Sequence, residues 1–182
     1  MEVIGDRFDK AEIFLPQVVA ASKTMEMALK ILEPLMTAGA GSLKGCVIMG
    51  TVEGDVHDIG KSICSTMLQC AGFEVHDLGR DVPSQNFIDE VKGGCNYCGM
   101  SALMTTTMTA FPSAAEKLVA DGVNIPFMAA GGAVNRDFAE SFPLGIYSEK
   151  APQTPPIADK VLAGYDWKRV RDEWDQIVGG EE

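Results

Sequence analysis

The stretch Gly45-Cys46-Val47-Ile48-Met49-Gly50-Thr51-Val52 runs into Glu53-Gly54-Asp55-Val56-His57-Asp58-Ile59-Gly60-Lys61-Ser62, so an apolar run breaks into a polar, glycine-punctuated loop. A run that is apolar at consecutive positions suits a strand buried on both faces, as in a parallel sheet. Four more such runs follow, at Phe73–Leu78, Asn96–Leu103, Ile125–Ala130 and Leu144–Tyr147. Helical spacers separate them: Lys61–Ala71, Ser84–Lys92, Thr106–Ala120 and Arg136–Ser141, with Pro155–Gly164 closing the series. This alternation predicts an α/β domain over 45–164, a five-stranded parallel sheet wrapped by helices. Chemistry in such sheets sits outside the carboxyl ends of the strands. The loops after the first, third and fourth strands are therefore the places to search.

Outside this domain, residues 1–37 read as helix. Val18, Ala21, Met25, Ala28, Leu32 and Leu35 form one apolar stripe, preceded by a shorter pattern at Val3, Ile4 and Phe8. Pro16 falls early in that helix and Pro34 is expected to close or kink its last turn. Residues 38–44 read as a Gly- and Ser-rich linker. The tail, 165–182, carries Trp167, Val170, Trp174 and Ile177 at helical spacing, which predicts a final helix. Of 182 residues, 15 are Lys or Arg and 26 are Asp or Glu, a formal net charge of −11. So acidic a surface disfavours nucleic acid and anionic membranes. With no transmembrane run and no apolar leader after Met1-Glu2-Val3, a cytoplasmic location is expected.

The first loop ends Gly60-Lys61-Ser62 like a phosphate-binding loop, but its spacing is one residue too long, and Asp55 and Asp58 would repel phosphate. His57 reads better as a metal ligand. A ligating imidazole usually donates its other N–H to a carboxylate, and Asp55 lies two residues away. A solvated loop histidine is the bland alternative. Zinc needs three or four ligands and no second His lies nearby, so a metal already held in a macrocycle suits a single imidazole better. In the second loop, Ser101-Ala102-Leu103-Met104-Thr105-Thr106-Thr107 offers more hydroxyls than capping a helix requires. In the third, Gly131-Gly132 lets a bulky ligand approach the backbone, or makes a tight turn. Five cysteines, Cys46, Cys64, Cys70, Cys95 and Cys98, are an odd number and predict reduced thiols. Cys95-Asn96-Tyr97-Cys98 enters a strand instead of opening a helix and reads as structural. His76 reads as a surface or edge residue.

Taken in order, Asp55-x-His57-x-x-Gly60, forty residues, Ser101-x-Leu103, twenty-seven residues and Gly131-Gly132 resemble the cobalamin-binding signature. That signature is shared by methionine synthase, several mutases and the corrinoid methyl-carrier proteins. Gly50–Lys61, Asp77–Pro83 and Phe14-Leu15-Pro16 are similar to the methyl-transferring branch. Ser101–Met108 resembles the small corrinoid proteins of methylamine, methanol and methoxyl metabolism. The resemblance covers the chain to about Gly164 and implies a Rossmann-like fold, cobalamin or a related corrinoid as cofactor, and methyl carriage between proteins.

It also implies roles for individual residues. His57 would be the lower axial ligand to cobalt, with Asp55 accepting its N–H and Thr107 extending that relay. Gly54, Val56, Asp58, Ile59 and Gly60 would shape the loop against the corrin, with Leu103 beside them. Ser101 and Thr105 would line the slot for the detached nucleotide tail, Gly131 and Gly132 would leave room for it, and Tyr147 and Ala151 would close it. Phe14, together with Val18, from a helical cap, would cover the upper face. The implied partners are a substrate-specific methyltransferase, a second methyltransferase serving an acceptor, and a reductive activating protein; the chain alone would have little turnover. Only about two helices of the family's four-helix cap are present, so the chain is either a short form or completes the bundle with a partner or a second copy, and the exposed stripe of the half cap favours self-association. A cobalamin-sensing or storage module is the alternative, disfavoured by the absence of a basic helix. Radical-mutase modules lack the Phe-Leu-Pro segment.

Overall fold

The computed structural model describes residues 2–39 and 43–179. Five strands, β1 (Cys46–Thr51), β2 (Glu74–Asp77), β3 (Tyr97–Ser101), β4 (Phe127–Ala130) and β5 (Gly145–Ser148), form one sheet in the order β2-β1-β3-β4-β5. Every neighbouring pair is parallel. The expected α/β architecture is thus present. Alternate residues of β1 feed two cores, as a buried parallel strand requires. Ile48 and the following Val52 face a cluster containing Phe87, Phe111 and Phe127. Val47 and Met49 face one containing Leu68, Phe73 and Ile157. Helices α4 (Ser84–Lys92) and α5 (Ala110–Ala120) cover the first face; α3 (Ile59–Cys70) and α7 (Thr154–Leu162) cover the second. At Gly99 in β3 a Cβ would meet the side chains of Met49 and Met128, so this strand can pack closely only without one.

Two helices precede the sheet, α1 (Glu2–Asp9) and α2 (Leu15–Gly39). Val18 of α2 is buried against Ile63 and Met67 of α3, which docks the pair beside the carboxyl end of the sheet. Pro34 does not end α2, which continues to Gly39. The side chains of Leu32 and Leu35 and the middle of the expected linker, 40–42, lie outside the described residues. Among the described residues no helix is long and apolar enough to cross a membrane.

Two expectations need correction. The tail is not one helix but two short ones, α8 (Trp167–Asp172) and α9 (Trp174–Val178), divided at Glu173. Nor are all thiols reduced: Cys46 and Cys95 form a disulfide, while Cys64, Cys70 and Cys98 are free. The partners are 49 positions apart, and nothing local signals the pairing, because β1 and β3 become neighbours only in the sheet. Cys98 is buried, and desolvation pushes its thiol pKa up, so it behaves as a small apolar group.

Arg171 fastens α8 to the domain. Its guanidinium donates to the carbonyls of Gly145 (2.7 Å), Phe142 (2.7 Å), Glu140 (3.0 Å) and Ala139 (3.2 Å), all between α6 (Arg136–Glu140) and the start of β5. One planar fork thus satisfies the carbonyls of an irregular turn. Arg171→Ala is expected to destabilise the protein by about 2–4 kcal/mol, because several acceptors lose a charged donor together. Arg171→Lys should recover only part of that. Urea unfolding midpoints measure both, and an Ala variant as stable as the parent would contradict the assignment.

Candidate functional site

Strand order reverses between β1 and β3, since the chain leaves β1 for β2 on one side and later returns to β3 on the other. The crevice at that reversal is the ligand position general to open α/β sheets. The loop after β1 is shaped to enter it. Gly54 turns at φ +82 and its N–H donates to Asp81 Oδ1 at 2.7 Å. Asp81, itself at φ +55, returns its own N–H to the Asp55 carbonyl at 3.0 Å. These clamps drive the Asp55 side chain into the protein, where it is fully buried.

The buried carboxylate accepts from five donors. Oδ1 takes the His57 backbone N–H (3.0 Å) and its ring Nδ1 (2.7 Å). Oδ2 takes the backbone N–H groups of Leu103 (2.8 Å) and Met104 (3.1 Å) and the Thr107 hydroxyl (3.1 Å). Burial alone would push the Asp55 pKa up; the bonds from His57, Leu103 and Met104 outweigh it and hold the group well below the usual carboxylate range. Asp55 is therefore ionised and can only accept, so Nδ1 carries the ring proton. In the neutral imidazole Nε2 then has the lone pair. The ring is half exposed, 48%, and lines the cavity.

That cavity has a volume of about 560 Å³, within the range of small-molecule sites. His57 and Ser101 lie on the sheet side, with Met49 and Met128 at depth. Val56, Ile59 and Leu103 also line it although they are exposed, an apolar rim around a polar ring. Phe8, Leu15 and Val18 of the N-terminal helices form the facing wall. A flat, mostly apolar macrocycle with one metal at its centre fits this arrangement: an apolar seat, a single free imidazole nitrogen and a deep slot beside it.

Asp58, Gly60, Gly131, Gly132 and Ala151 also line the cavity. The glycines have a more local reason than a ligand. At Gly131, φ +115, a Cβ would lie 2.8 Å from the Ala102 carbonyl carbon, and at Gly132 one would lie 2.7 Å from Leu103 Cδ1. The pair lets the third loop close over the second. Three expected residues stand elsewhere. Phe14 is 66% exposed, because it precedes α2 and its N–H is taken by Gln17 Oε1; Leu15 faces the cavity in its place, beside Val18. Tyr147 lies against Trp174, ring centroids 6.1 Å apart, since alternation along β5 sends Ser148 to the cavity side. Thr105 is exposed in the short turn Thr105–Thr107, whose inward residue is Thr107.

Sequence reasoning misses two contributors. Thr51 Oγ1 donates to the His57 carbonyl at 3.1 Å and lies 3.3 Å from Ser101 Oγ, tying the two loops. Its one signal is a lone hydroxyl ending an apolar strand. Asp81 acts from a distant loop, and its signal is only that it falls within the family-like segment Asp77–Pro83. Lys61, in contrast, is buried and paired with Asp77, so the Gly-Lys-Ser run offers no ammonium to a phosphate.

Asp55→Asn keeps the shape but leaves one acceptor oxygen for five donors. It is expected to lower the stability of the cofactor-free protein by about 2 kcal/mol, measured by urea unfolding. No loss of stability would mean that the network is not holding the loops.

Comparison with known proteins agrees with this geometry. The B12 binding domain model matches residues 45–147, and a second B12 binding domain model matches 1–33. The chain is 44% identical over 167 residues to a dimethylamine corrinoid protein of Methanosarcina barkeri, covering 90% of this chain and 78% of the relative. Among solved structures, the methanol:cobalamin methyltransferase complex of Methanosarcina barkeri superposes with a TM-score of 0.82 at 39% identity, covering 94% of this chain and 67% of the other. The monomethylamine corrinoid protein of the same organism gives 0.61 at 32% identity, covering 87% and 77%. The chain belongs to the B12 binding domain family, among its corrinoid proteins, and its cofactor is a corrinoid of the cobalamin type.

Proposed function

We propose that the chain carries a methyl group on a bound corrinoid between methyltransferases, with His57 Nε2 as the protein's ligand to cobalt. The observation that carries the reading is the 2.7 Å contact between Asp55 Oδ1 and His57 Nδ1, which leaves Nε2 available in an apolar-rimmed cavity. When bound, the corrinoid supplies a cobalt centre able to accept and release a methyl group. The protein supplies placement and electrostatics. Asp55 fixes the tautomer and orientation of His57 and strengthens it as a donor. Thr107 anchors the second oxygen of that carboxylate. Val56, Ile59 and Leu103 seat the ring against apolar surface, while Ser101, Gly131, Gly132 and Ala151 border the slot for the nucleotide tail. Phe8 and Leu15, rather than Phe14, exclude water from the opposite face.

Methyltransferases are the partners this reading requires: one specific for a methyl donor, one serving the acceptor, and a reductive activating protein to restore the cobalt. The solved complex to which the chain is similar is itself a methyltransferase assembly. We further propose 1–37 as a partial cap, 45–164 as the corrinoid domain and 165–182 as its C-terminal brace. The exposed apolar residues Val3, Met27 and Ile31 of the cap support self-association through it. A net charge of −11 favours docking on basic faces.

The test is reconstitution with hydroxocobalamin, followed by its visible spectrum. The parent protein should bind with a histidine-ligated spectrum that His57→Ala loses, and Asp55→Asn should weaken binding about 10–100-fold. A His57→Ala protein with an unchanged spectrum would overturn the assignment. Loss of methyl from the methylated protein only when an acceptor methyltransferase is added separates a carrier from a sensing or storage module.

A further inference from the structure

At the opposite end of the sheet from the corrinoid cavity, a second group of donor side chains comes together. Cys46 opens β1, Cys95 precedes β3, and His76 lies on the edge strand β2. Cys46 to Thr51 is the whole length of β1, about 17 Å at the usual rise per residue, so this cluster is remote from the His57 loop. Parallel register pairs Cys46 with Glu74 and Ile48 with His76, which puts Cys46 and His76 on one sheet face. Cys95 approaches from the other neighbour of β1, its Cα 4.8 Å from that of Cys46. The two sulfurs and a His76 ring nitrogen all lie within 4.8 Å of one another. His76 Nδ1 is 3.7 Å from Cys95 Sγ.

The carboxylates around the ring add a second observation. Glu74 Oε1 lies 3.2 Å from Nε2, and Glu90 Oε2 of α4 lies 2.9 Å from Nδ1. Glu74 on Nε2 is the carboxylate that a metal-bound histidine keeps on its outer nitrogen, while Nδ1, held by Glu90 and facing Cys95 Sγ, would exchange Glu90 for the metal. Zinc held by thiolate at about 2.3 Å and imidazole at about 2.0 Å places those donor atoms roughly 3.5 Å apart in a tetrahedron. The Nδ1–Sγ separation is already close to that. A fold that needed only to close β1 onto β3 would require the two cysteines, but neither His76 nor the glutamates flanking it.

We propose that Cys46, Cys95 and His76 form a second metal site, for a thiophilic divalent cation of the zinc class, which opens when the Cys46–Cys95 disulfide is reduced. The reductant is a dithiol: its two thiols become a disulfide, and each protein sulfur gains one electron and one proton. Metal binding then displaces both thiol protons and the Nδ1 proton held by Glu90, and leaves two thiolates and the Nδ1 lone pair as ligands. Glu90 stands nearest for the fourth position. Oxidation returns the sulfurs to one another and removes two of the ligands. The site therefore depends on redox state while the corrinoid loops do not. Of the three free cysteines, Cys64 and Cys98 are buried in the core and Cys70 is exposed elsewhere, so none substitutes for the pair.

The test uses the cobalamin-loaded chain, reduced with a dithiol and freed of it anaerobically, then equilibrated with micromolar zinc. Elemental mass spectrometry counts zinc per chain, and cobalt in the same sample counts corrinoid and so reports that each variant is folded. The reduced protein should retain one zinc per chain, and the oxidised protein none. Cys46→Ser combined with Cys95→Ser should retain none while keeping its cobalt, and His76→Gln should bind at least tenfold more weakly. A reduced parent protein without zinc would overturn the proposal. So would a double serine variant, or an oxidised protein, that holds as much zinc as the reduced parent, or a His76→Gln protein that binds as tightly.

Discussion

The Asp55 carboxylate is the constraint on which the rest of the site depends. A buried charge costs several kcal/mol unless its lone pairs are filled, and five donors fill those of Asp55. The donors come from the loop after β1, the loop after β3 and the turn before α5. Satisfying one charge therefore fixes three pieces of backbone relative to one another. It also places the proton of a neutral His57 ring on Nδ1. Preorganisation of this kind reduces what a cofactor must order on binding.

The sheet sets the terms for that carboxylate. Order β2-β1-β3-β4-β5 places the reversal beside β1, so the loop carrying Asp55 and His57 has β2 on one side and β3 on the other. Asp81 beyond β2 clamps Gly54 from one flank, and the amides of Leu103 and Met104 reach Asp55 from the other. The same crossing brings Cys46 against Cys95 at the amino ends of the strands. Both ends of β1 thus acquire chemistry from neighbours distant in sequence.

This explains what is legible in the chain by itself and what is not. Most of the strands are legible because they are short, largely apolar runs, β2 (Glu74-Val75-His76-Asp77) being the polar edge strand, and the His57 loop is legible because its polar residues interrupt such a run. Asp55 and His57 are two residues apart, so their contact is local and can be expected. The Thr107 contact crosses 52 positions and follows only from family resemblance. Thr51, Asp81 and the disulfide depend on which strands become neighbours, which composition and spacing do not encode. Tyr147 and Phe14 fail for a different reason: each lies in the right segment, but alternation along β5 and the start of α2 direct its side chain away. In both cases an adjacent residue, Ser148 or Leu15, faces the cavity.

The central claim is that a ring nitrogen of His57 becomes the lower ligand of the cofactor's cobalt. Electron paramagnetic resonance of the one-electron-reduced, cobalamin-loaded protein tests it directly, because the unpaired electron on cobalt couples to the nitrogen below the ring. Protein grown with histidine carrying spin-half heavy nitrogen should convert the triplet splitting of the unlabelled sample into a doublet. A triplet that survives the labelling would mean that the cofactor keeps its own base on cobalt, and that His57 and Asp55 do not ligate and tune the metal.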